Sequence, residues 1–468
     1  MPTTLIHGKA ALAVILTVQL MLQMDFLIVI VSLKHIQTDL GFTAAGLSWV
    51  PNAFALAFGG LLLLGGRLGD MIGQVKAFQI GVAIFVIASL AGGISPSPLI
   101  LIVSRIFQGV GSALAAPSVL ALVSILARNE AEKNRGLSLF IAVSSMGASA
   151  GLILGGALTE FFSWRWSLLI NVPIGVAALV AIAFLVPETS KAKGKIDFLG
   201  AFTGTFGCAA LVFGFISSAE NGWSSVTTIG SFVIAAILLG SFFKVESSVP
   251  EPLLRLGIFR PVPRKGGLFI MALIVGMHLA ALFILLQYFQ QVLGLSPLMA
   301  GIAYLPLTAT VFVITQFVPW LVERFGLRTL LAAGSLLVAV SLLGFSRLQA
   351  DSKYLQDVLL PLLVHSIGIA LVFTPASIVI MDGVADQDAG IASGVLQMDQ
   401  QIGGAIGIAA IVTIYTANAE SGSFSSGLCA AFISAAIICA LAAVFTLLTI
   451  PGKKSKQQAG LNFKTNTL

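Results

Sequence analysis

The apolar residues of this chain fall into long unbroken runs, not into the alternating or three-to-four-spaced stripes of elements that meet water on one side. The runs lie at roughly 10–31, 45–65, 76–94, 98–126, 136–158, 166–187, 197–217 and 226–243. After a more polar break they return at roughly 266–293, 300–322, 329–346, 355–380, 389–414 and 427–450. Each approximates the ~20 residues a helix needs to cross a hydrocarbon core. Lipid offers the backbone no hydrogen-bond partner, so the pattern predicts fourteen membrane-crossing helices and tolerates the Gly and Pro within them.

The length leaves little else. Fourteen such spans use about 280 of the 468 residues, and the rest averages about a dozen per loop or tail. No sizeable soluble domain fits. Composition agrees: 57% of residues are hydrophobic, mean hydropathy is +1.03 and only 9% are charged, against about a quarter in soluble domains. A soluble enzyme, a nucleic-acid binder and a disordered regulator are excluded. Cys208, Cys429 and Cys439 all lie in apolar runs at no metal-site spacing. The first run is too long for a cleavable signal peptide and lacks a small-residue cleavage site.

The net charge of +6 gains meaning from its placement. With the amino terminus inside, the even-numbered connections and the tails hold Lys9, Arg67, Lys76, Arg128, Lys133, Arg135, Lys191, Lys193, Lys195 and Lys244. They also hold Arg255, Arg260, Arg264, Lys265, Arg324, Arg328, Lys453, Lys454, Lys456 and Lys464, making 20 of the 25 basic residues. Outside fall only Lys34, Arg165, Arg347 and Lys353, with Arg105 inside a span. That asymmetry follows the positive-inside rule and places both termini in the cytoplasm.

A weak internal repeat is legible. Superposing Gly73 on Gly326 aligns Asp70 with Glu323 and Leu68 with Leu321 at an offset of 253, and Gly155-Gly156 answers Gly403-Gly404 at 248. The expected organisation is a six-helix bundle over 1–190, inserted helices 7 and 8 over 191–245, and a cytoplasmic linker over 246–265. A second six-helix bundle over 266–452 and a cytoplasmic tail over 453–468 complete it. Duplicated halves are a transporter architecture with the substrate path between them.

Charges within spans need a reason, because each costs about 2.5–3.5 kcal/mol at a helix centre on an insertion scale. Asp25 lies in span 1, Arg105 in span 4 and Asp399 in span 13. Helical spacing stacks Asp399, Gly403 and Gly407 on one face, with Gln397, Gln400 and Gln401 nearby. A carboxylate set among apolar residues can hold a proton and exchange it for a cationic substrate; a structural hydrogen bond is the plainer alternative. Arg105 cannot deprotonate and must pair. His278, at the approximate counterpart of Asp25, and His365 are further titratable candidates. Met21, Met24 and Phe26 offer an adaptable apolar wall. Gln287, Gln290 and Gln291 read as the wet end of span 9, and Asp382, Asp386 and Asp388 as a solvated loop. Gly147, Gly151 and Gly155 form a small-residue stripe for close helix contact, with the interface between halves as the sharper reading.

These residues resemble the major facilitator superfamily, in particular its fourteen-helix drug:proton antiporters. Gly66, Leu68, Asp70, Gly73 and Lys76 match the family's loop motif between helices 2 and 3, which implies a cytoplasmic latch. Arg105, Gln108, Gly109, Gly111 and Ala113 match its helix-4 motif, which implies a role in proton coupling. Residues 147–156 match the helix-5 antiporter motif, ending in Gly155 and Gly156, and WRWSLLINVPIG at 164–175 matches the start of helix 6. Asp25 takes the acidic position of the helix-1 motif. Departures are Leu152 in place of Pro, Met71 and Gln74 in place of basic residues, Leu27, Ile30 and Lys34 in helix 1, and Gln400 in place of Arg.

The resemblance implies an all-α polytopic protein of the major facilitator fold. It implies export of amphipathic, cationic compounds driven by H+, with Asp25, Asp399 and Arg105 at the centre and the cell inner membrane as location. No cofactor, metal or nucleic acid is expected; the partners are the bilayer and a small-molecule substrate, and the chain is expected to act as a monomer. Export of an endogenous siderophore or lipid-like metabolite is the alternative within the class, and a transport-inactive receptor or scaffold the alternative outside it. The chain contains no GxxxxGK[ST] loop for ATP.

Overall fold

The computed structural model describes residues 4–127, 129–186, 188, 197–249, 252–253, 257, 261–384, 389–419 and 424–452. Arg128, Lys191, Lys193, Lys195, Arg255, Arg260, Lys453, Lys454, Lys456 and Lys464 of the charge pattern lie outside the described residues, as do Asp386 and Asp388. Among the described residues every regular element is helical. The first ten helices are α1 (Thr4–Leu40), α2 (Ala44–Leu47), α3 (Trp49–Ile72), α4 (Gln74–Gly93), α5 (Pro98–Ile125), α6 (Glu130–Phe161), α7 (Trp166–Leu169), α8 (Asn171–Leu185), α9 (Phe198–Asn221) and α10 (Val226–Ser248). They are followed by α11 (Val262–Gln291), α12 (Pro297–Ile302), α13 (Leu305–Phe325), α14 (Leu327–Phe345), a π-helical turn (Tyr354–Val358) running into α15 (Leu359–Met381), α16 (Ala389–Ala419) and α17 (Phe424–Thr449).

All fourteen predicted spans are helical. Thirteen are long and apolar enough to cross a membrane among the described residues. The fifth is α6, whose 32 residues include the apolar stretch Ala150–Phe161. Side-chain caps start several helices where free N–H groups need acceptors. Asn129 accepts from Glu132 N, Asp197 from Gly200 N and Ser296 from Met299 N. Outward-facing Phe184 and Val226 are 82% and 88% exposed. In a bilayer such surface meets lipid instead of water.

The contacts divide the chain into two compact units. One comprises Met1–Leu254 with Leu285–Tyr304, the other Arg255–Ile284 with Leu305–Leu468. In the first, α1 packs on α6 and α5 packs on α3 and α4. Helices α9 and α10 form a hairpin held by the rings of Phe215, Trp223 and Phe232. The hairpin lies on α3, where Trp49 meets Phe213 and Thr205 fills the gap above Gly60. In the second unit α14 packs between α15 and α17, and α16 packs on α17.

Gly73 and Gly326, matched in the sequence repeat, have the same role in space. Each is a one-residue break between two helices, with φ/ψ of 103/139 and 82/158 degrees. Only glycine takes that backbone without strain. The packing of the repeats agrees: Gly155 on α6 lies against Ile28 of α1, and Gly403 on α16 lies against Gly276 of α11. Both pairs are related by 248 residues.

Candidate functional site

Helix α1 carries one carboxylate into the interior of the first unit. Asp25 is fully buried, and so is Arg105 of α5, whose Nη1 donates to Asp25 Oδ2. Asp25 Oδ1 accepts from Gln108 Nε2 at 3.0 Å and from Asn171 Nδ2, at the start of α8, at 2.7 Å. Gln108 lies one turn after Arg105 on the same face, accepts from Arg105 Nη1 at 2.8 Å and donates to Ser89 Oγ of α4 at 2.7 Å. Arg105 Nε donates to the Val50 carbonyl of α3 at 3.1 Å. Five helices therefore meet in one polar knot. A buried ion pair holds only when further hydrogen bonds complete it, and here the carboxylate has three donors.

The knot is not saturated. Among the described residues Arg105 Nη2 has no hydrogen-bond partner, and Asn52, two residues beyond Val50, is fully buried with both amide atoms unmatched. The guanidinium also lies over the Phe54 ring at 4.5 Å, and Phe26 packs against Phe54 at 6.3 Å between centroids. Of the three apolar-wall residues, Met21 and Met24 are buried, whereas Phe26 is half-buried and joins the aromatic contact beside the ion pair.

The glycines explain how close the helices come. A Cβ at Gly147, Gly151 or Gly155 would sit 2.6 Å from Gln23 Cβ, 2.8 Å from Met24 O or 2.5 Å from Ile28 O. The stripe thus seats α6 on α1 inside the first unit, the close helix contact expected of it. Gly156 meets the backbone of Pro297 and Leu298, and Leu152 O lies against Gly301, both also within that unit. In the loop motif, Gln74 donates to Asp70 Oδ1 at 2.9 Å, Gly66 faces Pro117, and Glu188 covers Gly73. Lys76 is exposed.

In the second unit Asp399 is half-buried on α16, with Gln397, Gln400 and Gln401 half-buried around it. Its Oδ2 is buried and has no partner among the described residues. Gly403 and Gly407, one and two turns on, let α16 touch the α11 backbone at Ala272 and Gly276. His278 of α11 and His365 of α15 hydrogen-bond through Nδ1 and Nε2 at 2.9 Å. One expectation is corrected here. Gln290 is buried, donating to Val31 O at 2.8 Å and accepting from Lys34; only Gln291 of that cluster is exposed.

Sequence reasoning missed Asn171 and Ser89 as members of the Asp25 site. Asn171 was visible as a polar residue opening an apolar run; Ser89, a small polar residue inside a span, gives no pattern to find.

The family model of the Major Facilitator Superfamily matches residues 14–408. The chain is 36% identical over 408 residues to the uncharacterized MFS-type transporter EfpA of Mycobacterium tuberculosis, covering 87% of this chain and 77% of that protein. It is 36% identical over 410 residues to the puromycin resistance protein pur8 of Streptomyces alboniger, covering 86% and 81%. It is 35% identical over 451 residues to the cephamycin export protein CmcT of Amycolatopsis lactamdurans, covering 94% and 92%. A crystal structure of the peptide transporter POT in complex with sulfate superposes with a TM-score of 0.67 at 14% identity, over 94% of both chains. At that identity the likeness speaks for the fold alone.

Proposed function

The chain belongs to the Major Facilitator Superfamily, and from that premise we propose a proton-coupled exporter of amphipathic, cationic small molecules in the cell inner membrane. Relatives named for resistance and export support the direction of transport. The observation that carries the reading is the opposite state of two carboxylates within membrane spans. Asp25 has three donors, while Asp399 keeps a buried oxygen without a hydrogen-bond partner among the described residues.

An unmatched buried carboxylate oxygen is satisfied when a proton or a cationic group reaches it. Competition of the two for Asp399 gives antiport. Asp25 has a different part: protonating it releases Arg105 from its ion pair, so its protonation is tied to rearrangement of α1, α5 and α8. Phe26, beside that pair, supplies apolar contact for an amphipathic substrate. The coupling ion is H+, no cofactor takes part, and one chain is the working unit.

The test uses purified protein in liposomes with lumenal pH followed while cationic dyes are added under an imposed proton gradient. Dye-dependent proton movement that is lost in Asp399→Asn and in Asp25→Asn is the expected result. Equal movement by both variants, inserted at wild-type levels, overturns the reading.

A further inference from the structure

The second unit contains a polar chain that the proposed coupling does not use. Ser341 Oγ of α14 donates to the Val338 carbonyl at 2.6 Å, which commits its only proton. The 2.9 Å contact between Ser341 Oγ and His365 Nδ1 is then a bond in which His365 Nδ1–H donates. That fixes the neutral His365 tautomer and leaves its Nε2 as an acceptor. The 2.9 Å bond to His278 Nδ1 must therefore be donated by His278 Nδ1–H. Tautomers are here assigned by the hydrogen-bond network. His365 is 1% exposed and uses both nitrogens within the protein. His278 is the half-buried end of the chain, and its Nε2 lone pair has no hydrogen bond among the described residues.

We propose that His278 Nε2 is a second proton-accepting site, backed by a directed chain of hydrogen bonds through His365 and Ser341 to Val338 O. A proton arriving at Nε2 makes His278 an imidazolium whose Nδ1–H still donates to His365, so no bond of the chain reverses or breaks. The same chain limits the pair to one proton. Protonating His365 Nε2 would set two N–H groups head to head across the 2.9 Å contact.

The surroundings leave the pair without a counter-charge in contact. Phe373 lies against the His278 ring, and Phe345 and Ser341 against that of His365. The titratable groups on the surrounding helices of this unit are Arg264 and Lys265 of α11, Glu323 and Arg324 of α13, Arg328 of α14, Tyr354, Asp357 and Asp382 beside α15, Asp399 and Tyr415 of α16, and Cys429 and Cys439 of α17. Among the described residues none of them is hydrogen-bonded or ion-paired to either ring. From the contact of Gly276 with Gly403 and Gly407, Asp399 lies about 12 Å along the helix axis from His278. Asp399 therefore acts on His278 through space, and the two bind protons as separate sites.

The inference rests on the transporter reading for its part in coupling, but its test reads protonation directly. Full-length protein with 15N-labelled histidine in lipid nanodiscs contains four histidines, His7, His35, His278 and His365. The variants His7→Gln and His35→Gln assign the spectrum without touching the pair. The expected result is a neutral His278 carrying its proton on Nδ1, whose non-protonated Nε2 resonance is lost on acidification while His365 keeps Nδ1–H throughout. In Ser341→Ala the fixed His365 tautomer is lost. A neutral His278 protonated on Nε2, or a His278 that keeps its Nε2 lone pair to pH 4 in folded protein, overturns the proposal. Titration of His278 without any dye-dependent proton movement in liposomes leaves this site standing and removes the antiport reading instead.

Discussion

Asn171 Nδ2 lies 2.7 Å from Asp25 Oδ1, bringing the first residue of α8 to a carboxylate 146 positions earlier in the chain. The bond places a third donor on Asp25 beside Arg105 and Gln108, and it fixes where α8 begins against α1. Hydrogen bonds to charged groups contribute about 1.5–3 kcal/mol. Asn171→Ala is expected to lower unfolding stability by about that amount. A smaller loss in detergent-solubilised protein, read by thermal unfolding with denaturant extrapolation, would mean that Gln108 compensates.

The two intramembrane carboxylates should separate in stability as they do in hydrogen bonding. Asp25→Ala strands a fully buried guanidinium and is expected to cost about 3–5 kcal/mol, as when one member of a buried pair is removed. Asp399→Asn loses no partner at Oδ2 and is expected to melt at the wild-type temperature. Parallel melts of both variants check the contrast, which fails if Asp399→Asn is the more destabilised.

Gly407 and Gly230 are both helical, but only one is in a tight contact. A Cβ at Gly407 would sit 2.3 Å from Gly276 Cα, whereas nothing lies within 4 Å of one at Gly230. Gly407→Ala is expected to cost about 1–3 kcal/mol through forced separation of α16 from α11. Gly230→Ala should stabilise by about 0.4–1 kcal/mol through the unfolded chain. Opposite signs in a thermal unfolding assay confirm the packing, and equal effects refute it.

The paired breaks at Gly73 and Gly326 predict a cost for alanine at both. Both backbones lie at positive φ, and such strain costs about 1–3 kcal/mol for a residue with a Cβ. At Gly73 the new Cβ also meets Glu188 Oε1 at 2.3 Å, the far end of an exposed side chain, which adds to the cost there. In a Glu188→Ala background the excess at Gly73 should disappear. If the excess persists in that double variant, Glu188 is not its source.

Much of this protein was decided by sequence alone. Fourteen runs long enough to cross lipid had to become helices, because no other open structure satisfies a backbone without water. Lys and Arg on alternate loops predict their orientation, and Asp25, Arg105 and Asp399 were conspicuous because charge within lipid is costly. The Gly73–Gly326 repeat was also legible, since a glycine requirement survives when side chains diverge.

Partnership was not legible. That Asp25 meets Arg105 while Asp399 keeps an empty oxygen depends on which faces of α1, α5, α8 and α16 turn inward. A run apolar on all sides carries no moment to say so. The same lack hid Asn171 and left Gln290 looking wet when it is buried against Val31. In a membrane the hydrophobic pattern fixes where the chain crosses. Close backbone approach at glycine and the pairing of the few polar atoms decide which helices meet, and those depend on residues far apart in sequence.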